Sequence, residues 1–253
     1  MSIGTKILNK IVSLAQATGG QVEGNKDVTD EMKNLARAVA EEGVVMLKND
    51  GALPLSESDV VAVFGRVQKD WFYVGYGSGG DVKPPYKVNL IEGLENEGVK
   101  IDETLKKIYA DWSVKNVPYE GFWGHWPFHF DEMPLSDKVV GEAAKRANKA
   151  IVVIGRAAGE DREQKLEKGS FYLTDEEKKM LSVVTKNFNS TILIIDNGNI
   201  MDLSFIDAYG SALSAALYVW NGGMESGNAV ARVLSGKVNP SGCLLYTSPS
   251  PRD

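Results

Sequence analysis

Residues 149–156 read KAIVVIGR. Five consecutive apolar residues, Ala150 to Ile154, are bounded by a lysine on one side and by Gly155-Arg156 on the other. A short unbroken run of this kind, rich in β-branched residues, suits a strand buried on both faces, as in a parallel sheet covered on both sides. Three further segments share the pattern: residues 59–65 (DVVAVFG), 191–198 (TILIIDNG) and 212–220 (ALSAALYVW). Between them lie stretches of helical period. Residues 29–48 carry Met32, Leu35, Ala36, Val39, Ala40, Val44 and Leu47 on one stripe, with Thr29 as the cap. Residues 135–148, 174–188 and 224–235 repeat the period, and Thr174 with Glu177 forms a capping box. Strands alternating with helices predict an α/β fold, a doubly wound and mostly parallel sheet with helices on both faces.

Composition narrows the function classes. The 253 residues include 28 Lys+Arg and 34 Asp+Glu, a formal net charge of −6, with 43% hydrophobic and 25% charged residues. That is the mix of an ordinary globular protein with a full core. An acidic balance without a basic run argues against nucleic acid and anionic membranes as partners. The single cysteine, Cys243, excludes a disulfide framework and a cysteine-rich metal site. The opening MSIGTKILNKIVSLAQATGGQ breaks its apolar residues with Lys, Asn, Ser and Gln; it reads as a short amphipathic helix and not as a signal peptide, so a cytoplasmic location is expected.

In an open parallel sheet, ligands bind beyond the carboxyl ends of the strands. Those ends lead into GRVQKDWFYVGYGSGGDVKPPY, AAGEDREQKLEKGSF, Asn197-Gly198 and Trp220-Asn221-Gly222-Gly223-Met224-Glu225. The glycines of Gly75-x-Gly77-x-x-Gly80 match the dinucleotide fingerprint formally. Its context is wrong, because the strand stops near Gly65 and Asp81-Val82-Lys83-Pro84-Pro85 cannot open a helix. These glycines read instead as a loop that lets backbone approach something closely. His125 and His129, the only histidines, have Pro127 between them and no third ligand nearby, so they read as loop residues; one could hydrogen-bond a ligand. No G-x-S-x-G elbow follows any strand. No cofactor and no metal is expected.

Six of the twelve residues at 119–130 (YEGFWGHWPFHF) are aromatic. The run suits either a loop tucked over the core or a surface made to meet a sugar or another domain. Glu160, directly after the strand end and three small residues, is placed to be a general acid/base. On spacing alone, a solvated charged loop in which Arg156 and Arg162 pair with acids is the simpler reading. Both arginines lie close enough in sequence to favour the ionised form of Glu160.

Taken together, ARAVAEEGVVMLKNDGALPL (36–55), VAVFGR (61–66), YGSGGDVKPPY (76–86), VVIGRAAGEDRE (152–163), YLTDEEKKML (172–181) and WNGGMESGNAVARVLSGKVNPSG (220–242) resemble the α/β/α sandwich domain of glycoside hydrolase family 3, the β-glucosidase type. The resemblance covers residues 29–242 and implies a three-layer sandwich with a flavodoxin-like sheet. In that family a (β/α)₈ barrel carries the nucleophilic Asp and the sandwich carries the acid/base Glu. The family's Gly-Glu-Gly-x-Asp-Arg pattern falls on Gly159-Glu160-Asp161-Arg162, two positions short. Glu160 therefore takes the acid/base role by resemblance, with Glu163 as second choice. Tyr76, Gly77, Ser78, Gly79, Trp123, His125 and Trp220 are the expected contacts of a β-linked glycoside or oligosaccharide.

Asp111, in a charged helical stretch, reads as a surface residue and not as the nucleophile. The sandwich begins near Met1, as in members of inverted domain order, which places the barrel beyond residue 253. Residues 1–28 read as a helical extension. Residues 243–253 depart from the family pattern and read as a non-native tail. Two other readings stay open: a flavodoxin-like nucleotide- or flavin-binding domain, and a non-catalytic carbohydrate-binding module.

Overall fold

The computed structural model describes residues 27–76, 84–119, 121, 126–159 and 164–243. The elements run α1 (Asp30–Gly43), β1 (Val45–Asn49), β2 (Val60–Phe64), α2 (Leu90–Asn96), β3 (Lys100–Ile101), α3 (Glu103–Lys115), α4 (Asp137–Ala144), β4 (Lys149–Arg156), α5 (Asp175–Asn187), β5 (Thr191–Asn197), α6 (Ser204–Tyr209), β6 (Ala215–Tyr218) and α7 (Ser226–Leu234). The six strands form one sheet in the order β1-β6-β5-β4-β2-β3. Every pairing is parallel except β1 with β6. No helix among the described residues is long and apolar enough to cross a membrane.

Alternation along the strands builds two cores, one on each face. Val152 and Ile154 of β4 join Phe64, Leu193 and Ile195 against α3, α4 and α5. Ile151 and Val153, one step along, join Val61, Val63, Ile192 and Ile194 against α2 and α7. This is why β4 must be apolar without interruption: both of its faces are covered. The three-layer α/β/α sandwich is the fold the sequence predicts.

The predicted strand at 149–156 coincides with β4, and the Thr174–Glu177 capping box closes on both sides. Two boundaries are corrected. The helix expected over residues 29–48 stops at Gly43, where Val44 turns extended (φ −65°, ψ 129°). Gly43 is a poor helix residue, and the β-branched pair Val44-Val45 favours a strand, so the apolar stripe continues past the helix as β1. The strand expected over 212–220 narrows to Ala215–Tyr218, after a 3₁₀ turn at Gly210–Ala212.

The stripe of α1 also differs from the usual inward-facing pattern. Met32, Leu35 and Val39 are 54%, 58% and 63% exposed. The helix is held instead through its other side, where Glu41 accepts from Arg232 Nε of α7 at 2.6 Å. Residues 1–26 and 244–253, where the helical extension and most of the non-native tail were expected, lie outside the described residues.

Candidate active site

Two buried arginines stand at the carboxyl ends of neighbouring parallel strands, each after a glycine. At the end of β2, Gly65 has φ +100°, and a Cβ there would collide with the Val153 carbonyl. The chain then turns into Arg66, only 3% exposed. Its Nε donates to Asp70 at 2.8 Å, its Nη1 to the Asp131 carbonyl at 2.7 Å and its Nη2 to the Asn116 carbonyl. The guanidinium lies 4.7 Å from the Trp112 ring centroid, within cation–π range. Its backbone N–H donates to Glu132 Oε2 at 2.8 Å.

At the end of β4, Arg156 is 1% exposed. It grips both oxygens of Glu177 at 2.6 and 2.7 Å and donates to the carbonyls of Gly155, Ser170 and Tyr172. Those five bonds use all five guanidinium N–H groups. This corrects the expectation for Arg156. It does pair with an acid, but in a buried site and not in a solvated loop, and its charge is matched by Glu177. It is not a free cation beside Glu160.

The segment 71–76 crosses the carboxyl edge of the sheet. Phe72 N–H donates to Asp196 at the end of β5 (2.8 Å), and the Phe72 carbonyl accepts from Asn221 Nδ2 (2.8 Å). Burial raises the Asp196 carboxyl well above the usual range, against the lowering pull of the Phe72 N–H and Asn221 hydrogen bonds. Gly223 N–H donates to the Tyr73 carbonyl, and Tyr76 N–H to the Ala158 carbonyl at 2.7 Å. Tyr76 and Gly159 form an isolated parallel bridge, so close that a Cβ on Gly159 would strike the Tyr76 backbone. The Tyr76 ring lies against Trp126, centroids 5.7 Å apart and planes within 6°. Phe130, from the same aromatic run, stacks on Phe72 at 4.7 Å, and the Phe128 carbonyl accepts from Ala157 N–H.

Tyr76, Trp126 and Gly159 thus meet at one place on the edge. Of the residues expected to form the site, Tyr76 is there. Gly77, Ser78, Gly79, Trp123, His125, Glu160 and Glu163 lie outside the described residues, as does Arg162. Trp220 is elsewhere: its indole N–H donates to the Gly43 carbonyl at 3.0 Å, which turns it toward the α1–β1 corner, and its φ of 55° is unusual for a bulky residue. His129 meets the Gly169 carbonyl at 3.0 Å and is a packed loop residue. Asp111 is exposed, as expected.

Sequence reasoning passed over Trp126, Arg66 and Asp196. Signals for the last two were present: an arginine directly after a buried strand, and a carboxylate closing the run TILIID. Among the described residues, no group of three or more His, Cys, Asp or Glu could hold a metal ion.

The six-stranded sheet covered by helices on both faces defines an α/β/α sandwich domain. The profile of the glycosyl hydrolase family 3 C-terminal domain matches residues 44–253, and the chain belongs to that family. It is 42% identical over 221 residues to a β-glucosidase of Ruminococcus albus, covering 86% of this chain and 23% of that protein. It is 36% identical to β-glucosidase A of Butyrivibrio fibrisolvens, covering 89% of this chain and 30% of the relative. Among solved structures, the β-glucosidase of Paenibacillus barengoltzii superimposes with a TM-score of 0.82 at 38% identity, over 85% of this chain and 24% of that one. β-Glucosidase 3B of Thermotoga neapolitana, solved with α-D-glucose, gives 0.74 at 33% identity, over 83% and 30%. The chain therefore spans less than a third of the length of each of these relatives.

Proposed function

We propose that this chain supplies the acid/base half of a retaining β-glucosidase site. The observation that carries the reading is the meeting of Tyr76, Trp126 and Gly159 at the carboxyl edge, with Glu160 next in the chain after Gly159. Membership of glycosyl hydrolase family 3 and relatives named β-glucosidases support it.

In this reading the carboxylic acid of Glu160 protonates the departing glycosidic oxygen. Its carboxylate then takes a proton from the water that releases the sugar. The nucleophilic Asp comes from a (β/α)₈ barrel of the same longer protein. Glu163 is the second choice for the acid/base. The substrate is a small β-linked glucoside or oligosaccharide, met by Gly77, Ser78 and Gly79 and by the aromatic residues Tyr76, Trp123 and Trp126, with His125 as a hydrogen-bonding partner. Flat aromatic rings suit the apolar faces of sugar rings.

The test uses the longer, barrel-containing protein and two substrates. Glu160→Gln should lower kcat/KM, which reports the bond-breaking first step, for a poor leaving group such as an alkyl β-glucoside by about 10²–10⁴-fold, the usual worth of general acid catalysis. It should matter far less for dinitrophenyl β-glucoside, whose leaving group needs no proton. Equal losses on both substrates would sink the assignment, and the split pattern in Glu163→Gln would move the role there.

A further inference from the structure

The aromatic run reaches the edge at the end of a long connection between α3 and α4, and its two limbs are joined by one side chain. The outgoing limb leaves α3 at Asn116, and the returning limb passes Asp131. Arg66 donates to the carbonyls of both, Nη2 to Asn116 and Nη1 to Asp131. Its own position is fixed from three sides: the ion pair with Asp70, the Trp112 ring below, and the Phe130 ring with centroid 6.0 Å from the guanidinium carbon. Glu132, next after Asp131, is bound in turn to the Arg66 backbone N–H. Five residues before Asp131, Trp126 lies flat on Tyr76.

We propose that Arg66 is a positioning residue for the sugar-facing edge, clamping the Asn116 and Asp131 limbs together and thereby holding Trp126 against Tyr76. Its planar fork of N–H donors suits this task. It can address two carbonyls and a carboxylate at once from a stacked position, and a lysine, with one compact ammonium, cannot. The clamp itself follows from geometry alone; its role in sugar binding rests on the function proposed above.

The five tryptophans allow a direct test in the 253-residue chain. Each indole N–H gives one NMR cross-peak, and Trp126→Phe identifies its own. The Tyr76→Leu variant gives the position of that peak without the ring current of its neighbour. Trp71 and Trp220, whose indoles donate to Ser226 Oγ and to the Gly43 carbonyl, report on the rest of the fold.

In Arg66→Lys, the Trp126 peak should move at least halfway to its position in Tyr76→Leu, with the Trp71 and Trp220 peaks unmoved. Arg66→Met should complete the move. A Trp126 peak that stays in place in both variants overturns the clamp. So does loss of the Trp71 and Trp220 peaks in Arg66→Lys, which would make Arg66 part of the general scaffold.

Cellobiose titration separates the two ideas. It should shift the Trp126 peak in the parent chain and do so at least fivefold more weakly in Arg66→Lys. Failure of cellobiose to move the peak in the parent chain counts against the sugar reading and leaves the clamp to be judged by the ring-current result. A cellobiose response equal in the two proteins overturns the positioning role.

Discussion

Burial pushes the Glu132 carboxyl up to about 7, from 4.5, against the lowering pull of the Arg66 and Met133 backbone N–H groups. In the unfolded chain this group titrates near its ordinary value. Between the two values the folded state holds a proton that the unfolded state has released, so stability falls as pH rises from about 4.5 to about 7. The buried charge is the cause. It costs up to about 3 kcal/mol once ionised, at 1.36 kcal/mol for each pH unit between the two values. Glu132→Gln copies the protonated form. Its urea-unfolding free energy should decline less steeply across that window than the parent's, the remaining slope coming from Asp196, and should exceed the parent's above pH 7. Parallel pH profiles for the two proteins would refute the assignment. Glu132 is beyond sequence reading: nothing in Phe130-Asp131-Glu132-Met133 announces burial, because the cover comes from Arg66 and Tyr109, far away in the chain. Tyr76 could be singled out from the glycines that follow it in the sequence, and the structure sets it beside Trp126 and Gly159. Trp126 was hidden among five other aromatics, and only its partner ring distinguishes it.

Two helices that both pack against α7 should answer mutation differently. Leu94 of α2 is fully buried in the core shared with α7, while Leu35 of α1 is 58% exposed. Leu94→Ala should cost about 2–5 kcal/mol, a transfer loss plus a cavity. Leu35→Gln should change stability by less than about 0.5 kcal/mol, although both leucines occupy apolar positions of amphipathic helices. Chemical denaturation of the two variants checks the contrast. The capping box of α5 gives an intermediate case: Thr174→Ala removes the acceptor for Glu177 N–H and should cost about 1 kcal/mol. β4 could be read to the residue because burial on both faces leaves no ambiguity of period. The α1–β1 corner could not, because Val44 and Leu47 continue the helical spacing of α1, whereas in the structure they fall on opposite faces, in different cores. α2 and β3, at seven and two residues, are too short to show a period at all.

Both faces of the sheet are covered from within this chain, so the 253 residues should melt as a cooperative unit. Turnover is another matter. Retaining hydrolysis needs two carboxyl groups about 5–5.5 Å apart, and in the proposed mechanism one belongs to the barrel. The chain alone should therefore release nothing from aryl β-glucosides while giving a sharp thermal transition. Robust release abolished by Glu160→Gln would mean that this chain holds its own nucleophile.

The pairing of β1 with β6, Val45 opposite Tyr218, sets when this sheet is completed at the ribosome. Of the six strands the first made docks on the last made, and β2 to β5 are synthesised in the interval. At ordinary rates of elongation the partner emerges roughly ten to thirty seconds later. Throughout that interval Val45-Met46-Leu47 is a nascent apolar strand with no edge to join, a state that invites chaperone capture or mispairing between neighbouring chains on one message. Arrival of β6 ends it, and Gly242 N–H then seals the corner by donating to the Val44 carbonyl.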